Sequence, residues 1–311
     1  MRFERHQQKK DKKKKRWRNF FLLIFLLVGS GFAYTYYQFK QGETQSLEKV
    51  EIKKETYAFN GEVDEYGAMN ILLLGSDSRG EDKSRTDTIM VAQYHPDKKS
   101  YKIISFMRDM YVTIPGHGEN RINTAFAKGG PELLRQTIKE NFGIDLQYYS
   151  IVDFEGFVQL IDEAFPEGVE VNVEKRMSAN IGVTIEPGLQ KLDGKHLLGY
   201  VRFRQDAVGD FGRVERQQEV MKQIGNQLKS FQTIPKLPKL LGVVSPFITT
   251  NMDAGDMLYI GKDYLSKNNR DIETMRIPVD GAWENARMNG ASVLLIDTEK
   301  NKAAINEFLG R

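Results

Sequence analysis

"NILLLGSDSRGEDKSRTDTIMVAQYHPDKKSYKIISFMRD" (Asn70–Asp109) holds three apolar runs. Asn70–Ser76 and Asp87–His95 are continuous enough for buried strands, and Lys102–Phe106 is a third. His95–Ser100 ("HPDKKS") has the composition of a hairpin turn. If the three strands pair antiparallel in chain order, the first ends where the second begins, and the third ends there too. Asp77, Asp87, Arg108 and Asp109 then meet at one edge of the sheet, with Arg79 and Arg85 in the segment between the first two strands. Topology makes the charges converge.

Helices follow this unit. Pro131–Gly143 ("PELLRQTIKENFG") has Pro at a helix start, Leu134, Ile138 and Phe142 at helical spacing, and Gly past the end. Phe154–Phe165 places Phe154, Phe157, Val158, Ile161 and Phe165 on one face. Val169–Val173 alternates like a strand, and a short helix is expected near Asp193–Leu198. Tyr200–Arg204 reads as a strand with Arg202 and Arg204 on one face. A helix opening near Gly212 carries Arg213 and Gln217 on one side and Val214, Met221, Ile224 and Leu228 as its apolar stripe. Arg216 and Gln218 are read as its solvated face. Further strands are expected at Ile272–Val279 and Val293–Asp297. Alternating strands and helices indicate a layered α/β fold.

The N-terminus differs from everything after it. Ten basic residues against Glu4 and Asp11 give residues 1–18 a charge of +8, so the chain's net +3 leaves −5 for the remainder. The basic run abuts Asn19–Tyr37 ("NFFLLIFLLVGSGFAYTYY"), an uncharged segment about long enough to span a bilayer as helix. Lys and Arg favour the cytoplasmic side, and Trp17, Tyr34, Tyr36 and Tyr37 sit where interfacial aromatics belong. The expectation is a cytoplasmic tail (1–18), a single transmembrane anchor (19–37), an extracellular stalk (38–67) and an extracellular folded part. A cleaved signal peptide is the alternative, and Gly31-Phe32-Ala33 is a poor cleavage site for it. The basic tail is assigned to topology and to membrane lipids, with no nucleic-acid role.

The chain has 311 residues and no cysteine. Its folded part stands on its core without disulfides, and thiolate chemistry is excluded. Four histidines lack metal-binding spacing, so any metal must be held by oxygens, which favours Mg²⁺, Ca²⁺ or Mn²⁺ over zinc.

Paired carboxylates among arginines admit a glycosidase, a metal site or plain ion pairs. Glycosidase chemistry needs no crowd of arginines. Arg79, Arg85, Arg108, Arg121, Arg202, Arg204 and Arg213 all fall at expected strand ends or adjoining loops of an otherwise acidic domain. The guanidinium fork fits phosphate oxygens bidentately. Carboxylates added to such a site are counterproductive unless a divalent cation bridges them to the anion. The combination points to a Mg²⁺-assisted site for a pyrophosphate or phosphodiester. Gly75 and Gly80 have P-loop spacing, but Glu81 stands where Lys is required.

"LLLGSDSR", "SRTDTIMV", "SFMRDMYV", "RINTAFAKGG" and "YVRFRQDAVGDFGRVERQQEV", in that order across Asn70–Leu228, resemble the LytR–CpsA–Psr family of cell-wall glycopolymer ligases. The resemblance implies a layered αβα domain with a central mixed β-sheet at residues 68–230, preceded by one N-terminal transmembrane helix, with residues 231–311 packed on it. It implies transfer of a teichoic-acid-type glycopolymer from undecaprenyl pyrophosphate to the MurNAc 6-hydroxyl of peptidoglycan, with Mg²⁺ or alternatively Mn²⁺. Asp77 and Asp87 match the family's metal-associated aspartates. Arg85, Arg108, Arg202, Arg204 and Arg213 match its pyrophosphate-contacting arginines, with Arg79 and Arg121 joined to them. Asp210 and Gln217 match further site positions, and Asp210 also fits a helix N-cap. Asp77 or Asp210 is expected to take the hydroxyl proton. Phe126 stands where His or Tyr is frequent, so its loop receives no catalytic role. A lipid-pyrophosphate phosphohydrolase and a non-catalytic wall-polymer binder or regulator remain open beside the ligase.

Overall fold

The computed structural model describes Trp17, Phe25 and residues 29–47, 56–76, 86–230, 237–266 and 271–311. Asp77, Arg79 and Arg85 lie outside the described residues, as does about half of the expected membrane span (19–24 and 26–28). Among the described residues no helix is long and apolar enough to cross a membrane.

The three opening strands pair as their apolar runs imply. β1 (Met69–Ser76) and β2 (Thr86–His95) are antiparallel, with Ser76 opposite Thr86, and β3 (Ser100–Phe106) returns antiparallel to β2. β3 therefore ends beside the start of β2, with Phe106 opposite Ile89. A helix, α1 (29–47), precedes the sheet; β4 (Met110–Ile114) and β5 (Gly118–Arg121) form a hairpin, and helix α2 (Asn123–Phe142) leads back to β6 (Tyr148–Asp153), parallel to β1. α2 begins eight residues before the predicted Pro131 start because it contains a kink at Gly129 and Gly130, whose φ is 64°. The chain continues through α3 (Phe154–Ala164), the hairpin β7 (Val169–Val173) and β8 (Gly188–Leu192), α4 (Gly194–Arg202), α5 (Asp210–Ser230), α6 (Leu237–Val244), β9 (Thr249–Thr250) and α7 (Ala254–Ser266). β10 (Glu273–Ile277), β11 (Trp283–Met288), β12 (Ala291–Ile296) and α8 (Thr298–Leu309) complete it.

The main sheet has six strands in the order β10-β3-β2-β1-β6-β9, with parallel pairs β10–β3 and β1–β6 among antiparallel ones. It is a central mixed sheet. The two-residue period of β1 sends Leu72 and Leu74 into a core with Leu134, Ile138 and Phe142 of α2 and Ile305 of α8. Leu73 and Gly75 line a cavity on the opposite face. A second core joins Ile161 of α3, Val171 of β7, Leu197 and Tyr200 of α4 and Val220 of α5. The cavity lies between that core and the sheet.

Sequence reading and structure part at Tyr200–Arg204. Tyr200, Val201 and Arg202 belong to helix α4, which is capped by Asp193 through His196 N at 2.9 Å. Leu197 and Tyr200, three residues apart, both bury in the second core, and at Gly199 an added Cβ would stand 2.5 Å from Val183 Cγ2. Close packing of that helix decides the element against local strand propensity. The solvated-face reading of Arg216 and Gln218 is also corrected. Arg216 is buried, pairs with Asp206 at 3.2 Å and donates to the Phe203 carbonyl. Gln218 donates to Ser105 Oγ (3.0 Å) and to the Met275 carbonyl (2.8 Å), tying α5 to β3 and β10.

Two polar clusters fasten the edges. Asp64 is buried and accepts from Asn70 Nδ2 (2.5 Å), Tyr66 N (2.8 Å) and the Arg311 guanidinium, joining the segment before β1 to the chain's end. Glu132 on α2 accepts from Arg135, Gln136 and the backbone N–H of Asn60. Replacing Asp64 by Ala strands the buried Arg311, and denaturant unfolding should show a loss of about 3–5 kcal/mol. Burial would raise the Glu132 carboxyl, but its donors win and hold it at about 2 against the usual 4.5. Its stabilisation is therefore complete above pH 4.5 and fades as pH falls toward 2. The melting-temperature gap between the parent chain and Glu132→Gln should close over that window.

Candidate active site

Asp87 is the second residue of β2, and Arg108 lies just beyond β3, so the antiparallel pairing brings them together. The Arg108 guanidinium pairs with the Asp87 carboxylate. Its Nε lies 3.6 Å from Asp109 Oδ2, and its Nη2 lies 3.6 Å from Asp210 Oδ1. Asp210 opens α5, where the helix dipole favours a negative charge, and pairs with Arg213 one turn on at 2.9 Å. Arg213 Nη2 also donates to the Asp87 carbonyl at 3.4 Å. Gln217, one turn further along the same face, donates to Thr88 Oγ1 at 3.0 Å and to the Val201 carbonyl at 3.3 Å. One helix face thus supplies Arg213, Gln217, Val220 and Met221 to the cavity.

Arg202 arrives from the end of α4, its guanidinium 4.3 Å over the Phe154 ring, and Arg204 follows in the next loop. Asp206, held by Arg216, Lys175 Nζ at 3.1 Å and Gly209 N at 2.9 Å, fixes the loop that carries Arg204. Asp87, Arg108, Arg202, Arg204, Arg213 and Gln217 all line one cavity. Arg121 does not line it and instead holds Asp109 at 3.3 Å. Sequence reasoning missed Asn180 and Ile248, which also line the cavity. Asn180 has φ 61°, a turn conformation that Asn tolerates, but nothing local links that turn to the site.

The cavity measures about 370 Å³ and changes character along its length. Leu73, Met90, Phe157, Val201, Met221 and Ile248 make an apolar wall, and the arginines and Asp87 make a charged end. Burial would lower the Arg108 pKa, but Asp210, Asp87 and Asp109 outweigh it and raise it. At Arg213 burial wins and lowers the pKa, aided by Arg108 and Arg204. Arg108 Nε and Arg213 Nε are buried and have no hydrogen-bond partner among the described residues. Four guanidiniums lining one cavity (Arg108, Arg202, Arg204 and Arg213) are suited to an anion there.

The sequence profile described as the LytR_cpsA_psr family matches residues 33–308. The chain belongs to this family. It is 45% identical over 256 residues to "Regulatory protein MsrR" of Staphylococcus aureus (strain COL), covering 82% of this chain and 78% of that protein. It is 32% identical over 320 residues to "Polyisoprenyl-teichoic acid--peptidoglycan teichoic acid transferase TagU" of Oceanobacillus iheyensis, covering 99% of this chain and 98% of that protein. The crystal structure of TagV from B. subtilis superposes with a TM-score of 0.68 at 25% identity, covering 79% of this chain and 99% of that one.

Inorganic pyrophosphate titrated calorimetrically into the full chain should bind in a salt-dependent way. Arg108→Ala or Arg213→Ala should weaken binding about 10–100-fold, the worth of a charge-assisted hydrogen bond. Arg121→Ala should change it less than about threefold, because its partner is Asp109 rather than the cavity.

Proposed function

We propose that this chain transfers a teichoic-acid-type glycopolymer from undecaprenyl pyrophosphate to the 6-hydroxyl of peptidoglycan MurNAc. One observation carries the reading. A cavity apolar along one wall and ringed by guanidiniums at one end matches a ligand with a hydrocarbon tail and a diphosphate head. The name of the TagU relative supports the donor class, the acceptor and the transferase type.

On this reading Arg108, Arg202, Arg204 and Arg213 grip the diphosphate, while Leu73, Phe157, Met221 and Ile248 hold the first prenyl units and exclude water. The MurNAc hydroxyl attacks the sugar-bearing phosphorus. A new O–P bond forms, the bridging P–O bond breaks, and undecaprenyl phosphate leaves with the bridging oxygen. Arg108 and Arg213 stabilise the charge that grows on that oxygen. Asp77 or Asp210 takes the hydroxyl proton; Asp210 stands beside the cavity, paired with Arg213, rather than in its lining.

No group of three or more His, Cys, Asp or Glu suited to a metal occurs among the described residues. Mg²⁺ needs no such cage, since one or two carboxylates with phosphate oxygens and water suffice. The oxygen donors here fit that pattern, so Asp87, with Asp77 from outside the described residues, would hold Mg²⁺ or Mn²⁺. When bound, the ion neutralises diphosphate charge. The basic tail and apolar span keep the chain at the cell membrane, with the folded part on the outer face where peptidoglycan lies.

The full chain, incubated with lipid-linked glycopolymer, peptidoglycan and Mg²⁺, should yield polymer covalently joined to glycan. Free phosphorylated polymer would indicate a phosphohydrolase instead, and binding with neither product a wall-polymer binder. Arg108→Lys keeps a cation among the three carboxylates but loses the guanidinium fork, and should lower turnover about 10²–10³-fold with a melting curve much closer to the parent's than that of Arg108→Ala.

A further inference from the structure

Residues 29–47 form one helix, α1. Its first half is uncovered, with Phe32, Tyr34, Tyr36 and Tyr37 exposed. Its second half is docked on α6. A Cβ added to Gly42 would overlap the Lys239 carbonyl oxygen, and one added to Gly242 would overlap that of Phe39. The backbones of the two helices therefore touch where these glycines sit, the Lys239 carbonyl and Val243 N filling the space a side chain at 42 would need, and the Phe39 carbonyl and Glu43 N that of one at 242. Ser46, one turn beyond Gly42, is fully buried and donates to the Val243 carbonyl at 2.9 Å. That carbonyl belongs to the last turn of α6, where no intrahelical partner exists.

The contact continues to the cavity. α6 runs into the turn Ser245–Phe247 and then Ile248, which lines the apolar wall. The Phe247 carbonyl lies against Gly156 of α3, where an added Cβ would stand 3.1 Å away, and α3 contributes Phe154 and Phe157 to the same cavity. Tyr37 is five residues before Gly42, about 7.5 Å along a continuous helix. The exposed aromatics and the cavity wall are thus joined by a stiff connection, not a loose tether.

We propose that the Gly42–Gly242 crossing is a rigid stem: α6 is the docking surface for the anchor helix, and the docked pair holds the apolar end of the cavity at the lipid surface. A long prenyl chain then passes between bilayer and cavity without crossing water. This rests on the transferase reading above, and the test keeps the two separable.

The full chain in vesicles carries no cysteine of its own, so a Ser46→Cys, Val243→Cys pair can be oxidised cleanly. A disulfide should form, and adding Gly42→Leu should prevent it. Gly42→Leu should lower transfer from an undecaprenyl-linked donor in the bilayer about tenfold or more, while transfer from a short, water-soluble prenyl diphosphate donor stays within about twofold. Six Gly and Ser residues inserted after Tyr37 leave the crossing intact but break the rod, and should give the same selective loss. Absence of the disulfide in the parent background overturns the stem. So does unchanged long-chain transfer in both variants, or an equal fall for both donors. If the parent chain transfers from neither donor, the transferase reading has failed, and the disulfide alone decides the docking.

Discussion

Arg108 is surrounded by three carboxylates, and the site depends on what that costs. A mostly buried guanidinium is tolerated only where opposite charges compensate its lost hydration. Asp87 comes from a neighbouring strand, Asp109 from the next residue and Asp210 from the start of α5. Each must be in place for the others to be stable. The same requirement positions Arg213, because Asp210 is its partner as well. Once the network is assembled, Arg108 and Arg213 join Arg202 and Arg204 in the cavity lining, and that concentration of guanidiniums gives the charged end its preference for an anion.

The apolar wall depends on the same strands read at their other period. Alternation along β1 gives Leu72 and Leu74 to the main core and Leu73 to the cavity. The cavity persists because the second core holds α4 and α5 off the sheet there. Arg202 stacked on Phe154 marks the boundary between the two halves, a cation resting on an aromatic that also faces the apolar side. The docked α1–α6 pair extends this organisation outward, so the apolar part of the site and the second half of α1 belong to one packed body.

Much of this was legible beforehand. The three apolar runs of Asn70–Asp109 imposed the meander, and the meander imposed the meeting of Asp87 with Arg108. The 3.6-residue period of α5 put Arg213 and Gln217 on one side. Local propensity failed at Tyr200–Arg204, where aromatic and β-branched residues suggested a strand. Burial of Leu197 and Tyr200 against β7 and α5 won, as tertiary packing does over weak intrinsic preference. Arg216 and Gln218 failed for a related reason. A charged or amide side chain on an amphipathic helix looks solvated until a second layer arrives to pair it, and Asp206 and Ser105 belong to that layer.

What the sequence by itself determined is the set of charged groups at the strand edge, the helical faces behind them and the family, because these rest on periodicity and short-range spacing. Tertiary structure alone decided which arginines share the cavity, leaving Arg121 with Asp109 while bringing Arg202 and Arg204 in from α4 and its loop. It alone placed Asn180 and Ile248 in the wall and set Gly42 against Gly242. Apart from the Arg121–Asp109 pair, these join segments separated by scores to hundreds of residues, and chain-local propensities carry no record of which distant surfaces will be buried together.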